Sequence, residues 1–294
     1  MRFMTIFLCF IWGFNFVVMT LGNDAFPPGA FAALRFLTGS VTLIAVCLLK
    51  RVPLPKKSDI KWLILCGLFQ TAYFNIAIQI SLNYISAGLT SVLTYSMPLF
   101  LSIMAHYWLP NERLTRKKLF GIILGIVGLF MAMNIQLDGS LWIMLLGLSS
   151  AVSWAIANLI FKLKLKHANA VQFTTWQMTI GTVGLLLYTL FFESGEAHWG
   201  VMPVIYILFS GVIASALAFV MWNYVLQHTE ASKASVSILL VPIIGVISGY
   251  LFLDETFKLA TLFGMMLVLV GIWFVNSKPG YVTRRKIRVI EGVK

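Results

Sequence analysis

The sequence predicts an all-α membrane protein whose ten transmembrane helices form two inverted five-helix repeats. Three observations carry this expectation: scarce charge, a series of apolar runs of span length, and a recurrence between the two halves. Of the 294 residues, 60% are hydrophobic and 11% charged, against roughly 25% charged in a soluble domain. A mean hydropathy of +0.90 leaves too little polar side chain to coat a water-facing surface, so apolar side chains must face lipid. The net charge of +12 sits in short clusters between apolar runs. That pattern fits basic loops at a membrane surface and argues against a continuous nucleic-acid face. Cys9, Cys47 and Cys66 fall inside apolar runs without metal-ligand spacing. They read as small apolar fillers, and no metal, cofactor or catalytic group is expected.

A span needs about 20 apolar residues to cross ~30 Å of hydrocarbon. Such runs lie at approximately 3–22, 28–49, 61–81, 85–109, 117–135, 140–161, 171–192, 202–226, 232–252 and 258–276. In lipid, backbone polar groups must be paired within their own segment, so each run is a helix. The first run lacks a basic leader and a small-residue cleavage site, and reads as a span rather than a signal peptide. The expected domains are a first repeat at 1–136, an inverted second repeat at 137–277 and a basic tail at 278–294. With the N-terminus inside, all of the 22 Lys and Arg except Arg35 and Lys258 fall on cytoplasmic segments. Asp24, Asp138, Glu193, Glu196, Asp254 and Glu255 fall outside. The positive-inside rule then puts both termini in the cytoplasm of a bacterium, with the chain in its inner membrane. Trp62, Trp108, Trp142 and Trp199 stand near span ends, as interfacial anchors do.

The halves recur at a steady offset of roughly 143 residues. Phe31–Gly39 aligns with Phe173–Gly181, Trp12 with Trp154, Gly67 with Gly211 and Pro98 with Pro242. Glu112, Gly121 and Gly128 align with Glu255, Gly264 and Gly271. An odd number of helices per copy turns the second copy upside down, the arrangement of many secondary transporters.

Pro98 and Pro242 interrupt their spans at matched positions, which points to a binding site or to gating hinges. Arg35 lies about two turns past Pro28, ~10 Å deep. A central arginine costs roughly 2.5–3.5 kcal/mol on insertion scales, so it should face the bundle or water. It could hold a carboxylate bidentately, snorkel to the surface, or tie helices together. Gln177 stands at its matched position. Trp12 and Asn15 share a face, as do Trp154 and Asn158. Gln70 and Tyr73 share one face of the third span, with Asn75 and Gln79 on another. Ser91, Tyr95, Pro98 and Ser102 form a stripe on the fourth, and Ser215, Phe219, Trp222 and Asn223 cluster on the eighth. Apolar walls with a few amides and hydroxyls suit a small zwitterionic or amphipathic metabolite. The same groups also serve as polar glue between helices, at ~0.6 kcal/mol per pair. Glu112 and Glu255, with Asn111 and Asp254, are expected to cap the fifth and tenth helices. Gly121, Gly125, Gly128, Gly264 and Gly271 allow close packing, within one chain or between two copies. His106 reads as a packing or interfacial histidine, with titration as the alternative.

These residues resemble the EamA-type branch of the drug/metabolite transporter superfamily. The resemblance rests on Trp12-Gly-Phe-Asn-Phe-Val-Val18, Leu34-Arg35-Phe36, Asn111-Glu-Arg-Leu114 before Gly121, Ser153-Trp-Ala-Ile-Ala-Asn158 and Leu253-Asp-Glu-Thr256. It covers nearly the whole chain and implies two inverted five-helix repeats, a central cavity and efflux. Trp12–Val18, Ser153–Asn158 and Leu239-Leu-Val-Pro-Ile243 are similar to exporters of amino-acid metabolites of the cysteine and O-acetylserine type. Small four-helix relatives carry a first-span glutamate for proton coupling; Trp12 and Asn15 stand in that region here. The expectation is a monomeric permease, with a dimer as the alternative, that exports amino acids or related metabolites by alternating access. Trp12, Asn15, Arg35, Tyr73, Tyr95, Trp154, Asn158, Gln177 and Trp222 would bind substrate, and Pro98 and Pro242 would gate. The rival functions are export of hydrophobic drugs or cations, and a scaffold or receptor that transports nothing.

Overall fold

A computed structural model describes residues 2–109, 113–133, 140–228, 238 and 240–276. The expectations on Asn111, Glu112, Asp138, Lys233 and the basic tail lie outside these residues. All regular structure among the described residues is helical. We label the helical stretches α1 (Arg2–Asn23), α2 (Pro28–Leu49), α3 (Lys57–Ser81), α4 (Ala87–Trp108), α5 (Arg116–Met133), α6 (Leu141–Leu165), α7 (Ala170–Phe192), α8 (Val201–His228), α9 (Leu240–Phe252) and α10 (Leu259–Asn276). Seven of these, α1 to α4 and α6 to α8, are long and apolar enough to cross a membrane. Helix α5 opens on Arg116, Lys117 and Lys118, and the described parts of α9 and α10 are shorter.

Helix ends follow local chemistry. Pro28 starts α2, where its missing N–H costs no bond. The next two free amides, of Gly29 and Ala30, donate to the Glu193 carboxylate at 2.7 and 2.9 Å. Asn169 accepts from the Val171 amide at the start of α7. Glu255 was expected to cap the tenth helix. It instead accepts the amides of Ala87 and Gly88 at the start of α4, beside the Ser86 cap, because its loop folds over that end.

Two kinds of irregularity shape the interior. Helix α4 breaks at Tyr95–Ser96 into Ala87–Thr94 and Met97–Trp108. Pro98 therefore does not kink a continuous helix; it sits in the first turn of the second half, where proline is tolerated. Pro242 holds a similar place near the start of α9. Segments Gly67–Tyr73 of α3, Phe161–Leu165 of α6 and Phe209–Leu217 of α8 wind as π-helix, a form that often marks functional sites.

Close crossings hold the bundle. A side chain at Gly39 would meet the Gly211 carbonyl at 2.8 Å, so α2 and α8 touch backbone to backbone; one at Gly181 would meet the Gly67 carbonyl at 2.5 Å, joining α7 to α3. Helices α5 and α10 meet in the same way through Gly121 against Gly271 and Gly128 against Gly264. The glycine stripe thus packs within the chain. Helix α1 packs on α9, and α6 on α3 and α4. Large apolar side chains such as Phe10, Leu48, Phe130, Leu190 and Trp273 face outward, while Asn15, Arg35, Gln70, Asn158 and Gln177 are buried. That is the reverse of a water-soluble bundle and what a lipid solvent requires.

Candidate functional site

Five aromatic side chains meet at the middle of the bundle. Trp12 of α1 lies 5.8 Å from Trp154 of α6, ring centroid to centroid, edge to face. It also lies 5.4 Å from Phe219, 6.0 Å from Trp222 and 6.3 Å from Tyr95. Tyr95 and Trp222 each touch Trp154 in turn, at 5.4 and 5.7 Å. Such pairs contribute about 0.5–1.5 kcal/mol beyond their burial. The indole of Trp12 donates to the Ala214 carbonyl at 2.9 Å, and Asn15 accepts from the Ser210 hydroxyl at 2.7 Å. Both partners lie in the π-helical stretch of α8. The wider π turn presents polar groups that an α-helix would hold within itself, and α1 uses them.

Beside this cluster, toward the turn that joins α1 to α2, lies a small cavity. Trp12, Asn15, Tyr95 and Trp154 line it together with Met19, Arg35, Phe74, Asn75, Ser215 and Phe219. Amides of Asn23, Gln79 and Asn83 join across the end of the bundle: Gln79 Nε2 donates to the Met19 carbonyl at 3.0 Å, and Asn23 Nδ2 to the Gln79 carbonyl at 2.8 Å and to Asn83 Oδ1.

Arg35 is the charged group of this cavity. It is 2% exposed. One guanidinium nitrogen donates to Met19 Sδ at 2.8 Å and the other terminal nitrogen to Asn75 Oδ1. The Phe36 ring centroid lies 4.7 Å from its central carbon. Its Nε has no partner, and among the described residues no Asp or Glu lines the cavity. Asn75 is itself fixed, since its Nδ2 donates to the carbonyls of Thr71 and Gln70 at 2.8 and 3.2 Å. Those carbonyls belong to the π segment of α3. A backbone irregularity thus orients an amide, and the amide orients the arginine.

Of the residues singled out from the sequence, Trp12, Asn15, Arg35, Tyr95 and Trp154 line the cavity. Trp222 packs within the ring cluster and donates to Asn158 Oδ1 at 3.4 Å, and neither is in the lining. Gln177 accepts from Thr71 at 2.9 Å in the α3–α7 crossing and is not in the lining. Tyr73 also falls outside: it is 45% exposed, with its hydroxyl 2.8 Å from Ser149. The expectation that Gln70 and Tyr73 share a face assumed α-helical spacing; a π turn rotates residues three apart away from each other. Pro98 and Pro242 are buried and away from the lining. His106 accepts from the Leu114 amide at 3.2 Å, a packing role. Met19 and Phe74 were not anticipated, because an apolar side chain in a span carries no signal that separates lipid from cavity.

An all-helical bundle that turns its apolar side chains outward and keeps amides, indoles and an arginine around a central cavity defines a membrane transport protein. The chain belongs to the EamA-like transporter family, which it matches twice, over residues 2–134 and 141–277. It is 31% identical to the uncharacterized transporter YoaV of Bacillus subtilis, over 94% of this chain and 96% of that protein. It is 27% identical to a probable amino-acid metabolite efflux pump of Salmonella typhimurium, over 98% and 97%. A probable terminal-alkyne amino-acid exporter of Streptantibioticus cattleyicolor is 24% identical over 91% and 90%. One crystal structure, 17% identical, shares the fold with a TM-score of 0.70 over 93% of this chain and 96% of that one.

Proposed function

We propose that this chain exports amino acids or related small metabolites across a bacterial inner membrane, by alternating access between two inverted five-helix repeats. The observation that carries the reading is Arg35. Burying a cation without a counter-charge costs several kcal/mol, which a fold recovers when a carboxylate binds there. Relatives named for amino-acid metabolite efflux support the substrate class.

Contacts between matched residues support the inverted repeats. Trp12 meets Trp154, and Ser40 lies 3.0 Å from Thr182, each a pair about 142 residues apart. Gly121 meets Gly271, the counterpart of Gly128, while Gly128 meets Gly264, the counterpart of Gly121. A twofold axis between the halves produces this crosswise pattern. In this reading all ten helices span, both termini are cytoplasmic, and the cavity belongs to the outer half. Pro98, at the start of the second half of α4, and Pro242, near the start of the described part of α9, are the hinges. The touching rings of Trp12, Tyr95, Trp154 and Trp222 close the path below.

The test is exchange of labelled amino acids by the full chain in proteoliposomes. Saturable flux that falls at least about tenfold in Arg35→Gln is expected. Flux no greater than in empty vesicles would remove the transport reading. Saturable flux that Arg35→Gln leaves unchanged would remove Arg35 from the site.

A further inference from the structure

Among the cavity-lining side chains, the buried polar atoms without a partner are all donors. Asn15 Oδ1 is taken by Ser210, the Ala214 carbonyl by Trp12 and Asn75 Oδ1 by Arg35. The buried side-chain atoms of the lining that lack a partner are Nε of Arg35 and Nε1 of Trp154, and both are donors. Arg35 is 2% exposed and Trp154 1%. Among the described residues, the lining holds one formal positive charge and no carboxylate.

We infer that the site selects amphipathic monocarboxylates by their carboxylate and apolar tail and does not read an α-ammonium group. This rests on the transport reading above and narrows its substrate class. A carboxylate is the group that the unpartnered donors and the Arg35 charge call for. An apolar or aromatic tail would meet the rings of Trp12, Phe74, Trp154 and Phe219, with the site opening to admit it. A zwitterion brings a second charge for which the lining supplies hydroxyls and ring faces but no anion. A cation meets Arg35 directly and is repelled. The predicted order of recognition is therefore carboxylate without ammonium at least equal to zwitterion, and both above amine.

The experiment uses the full chain in proteoliposomes near neutral pH, with three probes that share one ring and a two-carbon link to the charged group: 3-phenylpropanoate, phenylalanine and phenethylamine. Counterflow is followed with labelled phenylalanine and with labelled 3-phenylpropanoate, and each unlabelled probe serves as competitor. Expected is half-inhibition by 3-phenylpropanoate at or below the concentration needed with phenylalanine, and at least about tenfold more phenethylamine. Binding is read independently by the fluorescence of the tryptophan cluster. There Trp154→Phe, which keeps a ring and removes the N–H, should weaken 3-phenylpropanoate several-fold and phenethylamine not at all. Exchange of phenylalanine with 3-phenylpropanoate about tenfold weaker, or phenethylamine equal to either, would overturn the inference and leave the transporter reading in place. Absence of exchange and of binding for all three would overturn both.

Discussion

At the residue scale, the unusual object is a buried arginine whose partners among the described residues are neutral. Asn75 is the residue that makes this possible. It accepts from the guanidinium without adding charge, and its own N–H groups are tied to backbone. Replacing it with a carboxylate keeps the shape and changes the electrostatics. Asn75→Asp is expected to form a buried pair with Arg35, leave the protein folded, and lower transport of carboxylates by ~100-fold. Size-exclusion chromatography and flux in proteoliposomes check the two halves of that statement. Asn75→Ala should act differently. It strands a guanidinium N–H at a cost of about 1–3 kcal/mol, and the loss should appear in thermal stability before it appears in selectivity.

At the element scale, close crossings and carboxylate caps set how tightly the helices meet. Gly211, in the π segment of α8, touches α2 so closely that a methyl group would lie 2.4 Å from the Arg35 carbonyl. That neighbour is backbone and cannot swing aside. Gly211→Ala is expected to cost about 1–3 kcal/mol through overpacking, read as a fall in melting temperature. Gly200→Ala, whose nearest neighbour would be Pro203 at 3.5 Å, is the control and should be neutral. Glu255 gives a pH signature at the cap of α4. Burial raises its pKa above the ordinary carboxyl value, and the amides of Gly88 and Ala87 partly oppose that shift. A carboxyl with a raised folded-state pKa favours the fold below its unfolded pKa, ~4.3, and loses that contribution as pH rises through the folded value. Wild type should therefore be most favoured over Glu255→Gln near pH ~4, with the gap shrinking toward pH ~7. Melting curves of both proteins across that range check the sign. A gap that grows with pH would mean the charged cap outweighs its burial.

At the scale of the whole molecule, lipid as solvent decides what the sequence reveals. Apolar runs, basic loops and matched landmarks such as Trp12 with Trp154 need only one-dimensional pattern, and they made a helical membrane transporter legible. The same pattern exposed Arg35, because charge in a span is rare. Tyr73 and Gln177 lie outside the cavity lining, since π turns and helix crossings shift side chains without changing composition. The orientation of the bundle is the global claim still open to direct measurement. Lys56 is exposed in the α2–α3 connection and Glu196 in the α7–α8 connection, at opposite ends of the bundle in the ten-span reading. The positive-inside bias puts Lys56 in the cytoplasm and Glu196 outside. A cysteine substituted for Glu196 should react with a membrane-impermeant maleimide in intact cells, and one substituted for Lys56 only after permeabilisation. Native Cys9 and Cys66 are buried and Cys47 is half-buried, so the unsubstituted chain gives the background. Reaction at Lys56→Cys in intact cells would invert the topology, place the Arg35 cavity on the cytoplasmic side, and turn a state poised to release substrate outward into one poised to load it.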